Sequence, residues 1–318
     1  MPIIYVKNAD FSNSGLGKYP TNPLNYQAET TAIIASGAIS SLITGVNAPV
    51  YKEALNNFIL RLKNGGVWNN FQILSIPWLC QNRTEAGFNF KTASSISTNL
   101  IYPVSSVIGT VNFGYRNPQT MGPAANQDEK LGIVIKNFTY DITNFHQALY
   151  HNNMGATKIG EYLHRDVSIT PSGTTVANNN FFNLLATTTP SFDSRLGYNN
   201  DANRITLSGF DANFVSTTKK LVGLNTMLVN STLTASGYTT GNNIGGQKVS
   251  VVPPANYFDT VNKTYIAYVT GETTTVKLNT CVLSLGTGLT DAQWAAYRAA
   301  CDAMDTDLLG TIPTFPLY

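Results

Sequence analysis

The stretch Leu285-Gly286-Thr287-Gly288-Leu289-Thr290-Asp291-Ala292-Gln293-Trp294 runs a strand end, a glycine-containing turn and a helix start together without a break. Thr290 can accept from the amide of Gln293, and the Gln293 side chain can reach back to the amide of Thr290, which is a capping box. Leu289 and Trp294 sit where a hydrophobic staple places its two members. Beyond the cap, Trp294, Tyr297, Cys301, Met304 and Leu308 fall on one apolar stripe of helical period, and Gly310 marks its end. Pro313 and Pro316 make the tail to Tyr318 an extended one. A strand over residues 281–285 therefore feeds directly into a closing helix.

Upstream, short β-rich runs alternate with turn material. Residues 111–115, 131–140, 145–150, 181–187, 204–207, 221–229 and 264–269 read as strands. Asn117-Pro118, Met121-Gly122-Pro123, Pro171-Ser172-Gly173, Asn199-Asn200-Asp201 and Gly245-Gly246 separate them. Strands at this spacing without interleaved helices predict an antiparallel sandwich rather than βαβ units. No fixed repeat period is present, which speaks against a solenoid or propeller.

Nearer the start the texture is helical. Residues 24–36 are Ala- and Thr-rich and read as a first helix. In the next, Tyr51, Ala54, Leu55, Phe58, Ile59 and Leu62 share one face, Pro49 suits the first turn and Lys63 the last. Gly65 is the expected left-handed C-terminal cap. Trp68, Phe71, Ile73, Leu74, Ile76 and Trp78 then make a dense apolar segment, expected to bury the helices against the main body. Residues 3–6 read as a short strand. The Ser-, Asn-, Gly- and Pro-rich stretch 10–23 reads either as a tail pinned by that strand or as an attachment arm, with Ile3, Tyr5 and Phe11 as attachment candidates.

The chain of 318 residues is 43% hydrophobic, enough for a sizeable core, yet only 12% of its residues are charged. Asn, Thr, Ser and Gly fill the gap, a composition suited to a surface outside the cell. The net charge of +2 includes no basic block, which speaks against a nucleic-acid partner. Cys80, Cys281 and Cys301 form neither a disulfide framework nor a zinc knuckle and read as small core residues of a chain folded in a reducing cytoplasm. The N-terminus lacks the pattern of a secretory signal, and no apolar run approaches the roughly 20 residues of a membrane helix. No membrane insertion is expected.

Three stretches resemble a known family. Asn56-Asn57-Phe58-Ile59-Leu60-Arg61-Leu62-Lys63-Asn64-Gly65-Gly66-Val67-Trp68 is similar to a helix ending in a K-x-G-[IV]-W pattern. Phe88-Asn89-Phe90-Lys91 is similar to the entry into the β domain, and residues 285–293 to a last strand followed by the closing helix. Their order over residues 25–310 resembles the concanavalin-A-like (laminin-G-like) structural proteins of tailed bacteriophages, notably crAss-like phages infecting gut Bacteroidetes. The resemblance implies a mainly β, antiparallel jelly-roll sandwich with an N-terminal helical segment and a C-terminal helix. The expected organisation is an arm over 1–23, a helical segment over 24–85 and a sandwich over 86–318 with its closing helix at 290–309. It also implies a virion protein: a tail fibre, head fibre or capsid decoration, made in the host cytoplasm. Its partners would be other virion proteins and itself, as a homo-oligomer (trimer or dimer). Laminin-G domains of animal proteins often carry calcium ligands at a loop rim, and no such set can be placed here.

Catalytic chemistry finds little purchase. A glycosidase needs two carboxylates facing each other across a cleft. Asp128-Glu129 are adjacent and point apart, and Glu161, Asp166, Asp193, Asp201, Asp211, Asp259 and Glu272 are scattered singly. His146 and His151 have opposite strand parity, so with His164 they make no metal set on one face. G-x-S-x-G, G-x-G-x-x-G and P-loop patterns are absent from the sequence. The expectation is a protein that is not an enzyme and has no cofactor. Loops around Tyr150 and Asn152, around Tyr198, Asn199 and Asn203, and around Tyr238 and Asn242 offer aromatic faces and amides for a host cell-surface glycan. The plainer reading is that loops favour Asn because it tolerates left-handed turns. An appendage protein leads, followed by a glycan-binding receptor and then a polysaccharide-degrading enzyme.

Overall fold

The computed structural model describes residues 26–95, 119–121, 131–136, 144–151, 160–169, 175–177, 180–186, 191–198, 205–210, 220–229, 232–239, 242–249, 264–270, 276–278 and 280–309. Helices α1 (Ala28–Ala35) and α2 (Ala48–Asn64) come first. They are followed by β1 (Phe71–Ser75), the single-turn α3 (Arg83–Ala86), β2 (Phe88–Asn89) and β3 (Ser94–Ser95). Next come β4 (Gln119–Met121), β5 (Leu131–Lys136), β6 (Asn144–His151), β7 (Gly160–Ile169), β8 (Thr175–Ala177), β9 (Asn180–Ala186) and β10 (Ser191–Tyr198). The remaining strands are β11 (Ile205–Phe210), β12 (Lys220–Val229), β13 (Thr232–Thr239), β14 (Asn242–Val249), β15 (Thr264–Thr270), β16 (Val276–Leu278) and β17 (Thr280–Gly286), and then α4 (Asp291–Leu308).

Every pairing among the described strands is antiparallel. The largest sheet has the order β1-β17-β6-β12-β13-β14. The orders β5-β15-β7-β8 and β11-β10-β9 give two more sheets. This is the mainly β, antiparallel fold with N-terminal helices and a closing helix that the strand-and-turn texture predicts. The first strand lies beside the last, and β6 separates β17 from β12, so the main sheet is no simple meander. Because β1 pairs with β17, the helical segment contributes a strand to the main sheet. The expected strand over 111–115 lies outside the described residues, as does Gly310.

The pairing register sorts the main sheet into two faces. His146, Ala148, Tyr150, Leu221, Gly223, Asn225, Val282, Ser284 and Gly286 share one face, by direct opposition and alternation. Helices α2 and α4 pack with this face. Phe58, Ile59 and Leu62 of α2 and Trp294, Tyr297, Cys301, Met304 and Leu308 of α4 are buried in the same cluster as Tyr150, Leu221 and Val282. Ile73, Phe145, Leu283 and Leu285 lie on the opposite face and are also buried. The sheet is thus buried on both faces along β1, β17 and β6.

The capping box of α4 forms as expected: Thr290 Oγ1 accepts from the Gln293 amide at 3.3 Å, and Gln293 Oε1 accepts from the Thr290 amide at 2.9 Å. The cap of α2 is displaced by one residue from the expectation. Gly65 has φ −79°, and the left-handed residue is Gly66 at φ +67°. The Val67 amide reaches the Leu62 carbonyl at 2.8 Å and the Gly66 amide the Lys63 carbonyl at 3.0 Å, a Schellman ending. Gly65 is needed for a different reason: a Cβ there would clash with Ala296 Cβ of α4.

The segment between β17 and α4 is held by the turn before β1 and by side chains of β6 and β12. The Thr287 amide donates to the Asn70 carbonyl at 2.9 Å. The Gly288 amide donates to Asn144 Oδ1 at 2.9 Å and the Leu289 amide to Asn225 Oδ1 at 2.7 Å. Asn70 Nδ2 returns a bond to the Gly288 carbonyl at 2.9 Å, and Gln293 Nε2 binds the Gly66 carbonyl at 2.8 Å. A Cβ on Gly286 would overlap the Asn70 carbonyl, and one on Gly288 would lie 2.8 Å from the Thr226 carbonyl oxygen. Trp294 rests on Gly223, where a Cβ would lie 2.4 Å from its ring.

Two substitutions should read this fastening. Asn225→Ala strands the buried Leu289 amide and should cost about 1–3 kcal/mol. Gly223→Ala drives a methyl into the Trp294 ring and the Gln147 carbonyl and should cost a similar amount or more. Urea unfolding of both variants beside the parent checks this, and unchanged midpoints would contradict it.

Candidate functional site

A cleft of about 540 Å³ opens where the ends of α1 and α2 meet the segment after β2, lined by Glu29, Lys63, Gly66, Trp68, Asn69 and Lys91. Each wall has a local cause. Glu29 occupies the first turn of α1 and Lys63 the last turn of α2, the ends where a helix dipole favours those charges. Asn56 Oδ1 accepts from the Gln27 amide at 2.7 Å and so ties the start of α1 to the side of α2. The Schellman glycine Gly66 turns the chain sharply, and Trp68 and Asn69 follow in a 3₁₀ turn.

Asn89 sets the last wall. Its Oδ1 accepts from the amides of Leu74 and Lys91, both at 3.0 Å, and its Nδ2 donates to the Gln72 carbonyl at 2.9 Å. Lys91 is thereby aimed across Trp68: its Nζ donates to the Trp68 carbonyl at 2.8 Å and stands 4.4 Å from the ring centroid.

The cleft is electrostatically uneven. Lys63 Nζ pairs with Glu29 Oε2 at 2.7 Å and also donates to Gln27 Oε1 at 3.2 Å. Burial by itself would raise the Glu29 pKa, but the hydrogen bond and charge of Lys63, with Lys91 beyond, hold it below the ordinary value. Burial lowers the Lys91 pKa; Glu29 partly offsets this and Lys63 adds to it. Among the described residues Lys91 has no carboxylate within ion-pair distance.

The expected glycan candidates fall differently. Tyr150 departs from the expectation of a loop aromatic. It lies within β6, is fully buried, packs edge-on to Trp78 at 5.6 Å and donates to Asp302 Oδ1 at 2.6 Å. A tyrosine enclosed in this way offers no face to a sugar. Asn152, Asn199 and Asn203 lie outside the described residues, as do Ile3, Tyr5 and Phe11. Tyr198 ends β10, opposite Asn180. Tyr238 and Asn242 belong to the paired strands β13 and β14 rather than to a loop, with Tyr238 opposite Asn243 and Thr239 opposite Asn242.

His146 is a satisfied core histidine. Its Nδ1 donates to the Thr287 carbonyl at 2.5 Å, which leaves Nε2 to accept from Ser284 Oγ at 3.2 Å. Among the described residues no cluster of three or more His, Cys, Asp or Glu could hold a metal ion. The cleft itself went unread in the sequence. Its residues come from three separate segments, and each has a local role (helix-end charge, cap glycine, core tryptophan) that accounts for it fully. The available signal was the basic residue directly after Phe88-Asn89-Phe90, in an otherwise apolar stretch.

No family model and no curated protein matches the chain. Several solved structures do. The CBM40 module of the Ruminococcus gnavus IT-sialidase, bound to α2,3-sialyllactose, aligns at 13% identity over 47% of this chain and 79% of its own, with a TM-score of 0.35. A botulinum neurotoxin type C structure, described as entering cells through two ganglioside molecules, aligns at 12% identity over 76% of this chain and 53% of its own, with a TM-score of 0.44. The CBM2 module of the evolved Dit protein of Lactobacillus casei BL23 phage J-1 aligns at 12% identity over 69% of this chain and 99% of its own, with a TM-score of 0.36. Likeness at this level locates no site and assigns no activity.

The buried imidazole makes stability depend on pH. Burial lowers the His146 pKa to about 4, against 6.5 ordinarily, with the Thr287 carbonyl pulling slightly the other way. The unfolded chain takes up a proton below pH 6.5 that the folded chain refuses until about pH 4. Stability is therefore whole above pH 6.5 and falls between those values, by about 3 kcal/mol in total. Urea midpoints at pH 7.5 and 4.5 should differ accordingly. His146→Asn, which can still donate to Thr287 but does not titrate, should flatten that part of the curve.

Proposed function

We propose that this chain is a non-enzymatic, adhesive appendage protein of a tailed-phage particle, made in the host cytoplasm and assembled as a homo-oligomer. The observation that supports this best is where the three family-like stretches meet. Gln293 Nε2 donates to the Gly66 carbonyl, and Lys91 Nζ donates to the Trp68 carbonyl. The resemblance thus rests on residues that fasten a helical segment to a β body. A part built into a larger particle needs that fastening, and it requires no chemistry.

The cleft supports binding rather than hydrolysis. Glu29 is the carboxylate among its lining residues, and it is already engaged by Lys63, whereas a glycosidase needs two facing carboxyl groups. A host-glycan receptor is the second reading. The register that sets Tyr238 opposite Asn243 favours it, because an aromatic residue and an amide residue then occupy paired positions at one end of β13 and β14.

Electron cryo-microscopy of purified particles of the source phage tests the leading reading. Density for this chain at regular head or tail positions is expected, and its absence from the particle would contradict the proposal. Tyr238→Ala combined with Asn242→Ala should weaken binding to host surface polysaccharide at least tenfold if the hairpin contacts it. Unchanged binding removes the hairpin from the site.

A further inference from the structure

The cleft between α1, α2 and the segment after β2 carries chemistry that neither the appendage role nor the hairpin uses. Its lining holds two ammonium groups and one carboxylate. Lys63 and Glu29 neutralise one another at 2.7 Å, leaving the charge of Lys91 as the excess. The Trp68 ring and carbonyl hold that ammonium in place, and the Asn89 side chain orders the backbone that delivers it. A cation already positioned and partly stripped of water has little left to lose when an anion arrives. The lowered Lys91 pKa has burial as its main cause, which is the cost that a bound anion would relieve.

We infer that this cleft binds the carboxylate-bearing residue of an acidic saccharide, with Lys91 as the carboxylate partner and Asn69 and Glu29 as hydroxyl partners. One excess positive charge matches a singly charged carboxylate, whereas a phosphate dianion would leave one negative charge uncompensated. A volume of about 540 Å³ far exceeds a bare anion and falls within the range that takes one or two sugar rings. The ring face of Trp68 is occupied by Lys91, and Trp68 itself is buried, so specificity comes from charge and hydrogen bonds rather than stacking. Gly66 lets the chain turn tightly at the edge of the cleft at φ +67°. The inference rests on the glycan-binding reading for the class of its ligand, and not on any position in the particle.

The test is binding of the full chain to a panel of uronate- and nonulosonate-bearing oligosaccharides, each with its neutral counterpart, and to sodium sulfate. Acidic members should bind at least tenfold more tightly than their neutral counterparts and more tightly than sulfate. Lys91→Met should remove that preference and Lys91→Arg should retain most of it. Glu29→Gln frees Lys63 and should tighten acidic binding several-fold, a gain that does not arise from damaged folding. Acidic binding unchanged in both Lys91→Met and Glu29→Gln overturns the inference. So does equal binding of neutral and acidic members, and in that case the glycan reading survives through the hairpin. Failure of every member to bind removes both.

Discussion

The segment between the last strand and the closing helix must cross the end of a buried sheet, where its peptide groups cannot reach water. A buried amide without a partner costs about as much as several ordinary hydrogen bonds contribute, so this crossing is the constraint on which the rest depends. Asn70, Asn144 and Asn225 act as peptide mimics, each meeting a backbone group between Thr287 and Leu289. His146 takes the Thr287 carbonyl. Glycine at 286 and 288 follows from the same crowding, because a Cβ would overlap the Asn70 carbonyl at the first position and press on the Thr226 carbonyl and Asn144 Oδ1 at the second.

Once the crossing is made, the remaining geometry follows in order. Thr290 and Gln293 start α4, and Gln293 also reaches the end of α2 through the Gly66 carbonyl. Gly65 and Ala296 then let the two helices touch. With α2 seated, Lys63, Gly66 and Trp68 are fixed as three walls of the cleft, and the Asn89 side chain brings Lys91 over the fourth. The hydrogen bonds that fasten the segments therefore also position the walls of the cleft.

How legible this was depended on distance along the chain. The box at Thr290 and Gln293 and the stripe from Trp294 to Leu308 were readable because a helix is a local object, and both are present as read. The cap of α2 was misplaced by one because Gly65 and Gly66 both satisfy the local rule, and only packing against Ala296 tells them apart. Tyr238 and Asn242 read as loop residues because Gly, Asn and Thr surround them, yet cross-strand pairing made that stretch a hairpin. Tyr150 read as a surface aromatic beside Asn152, but strand alternation turned it to the helix side, beneath Trp78. The order β1-β17-β6-β12 and the asparagine partners were not readable at all, since each joins residues more than sixty positions apart and leaves no periodic trace.

The N-terminal helical segment and the C-terminal strand and helix form one cooperative unit, fastened at this crossing. Native-state hydrogen exchange of the full chain addresses it most directly. The amides of α2, β1, β17 and α4 should open together, with one shared free energy, and Asn225→Ala should lower all of them by the same amount. Exchange of α4 through a separate opening of lower free energy, with α2 and β1 still protected, would contradict it.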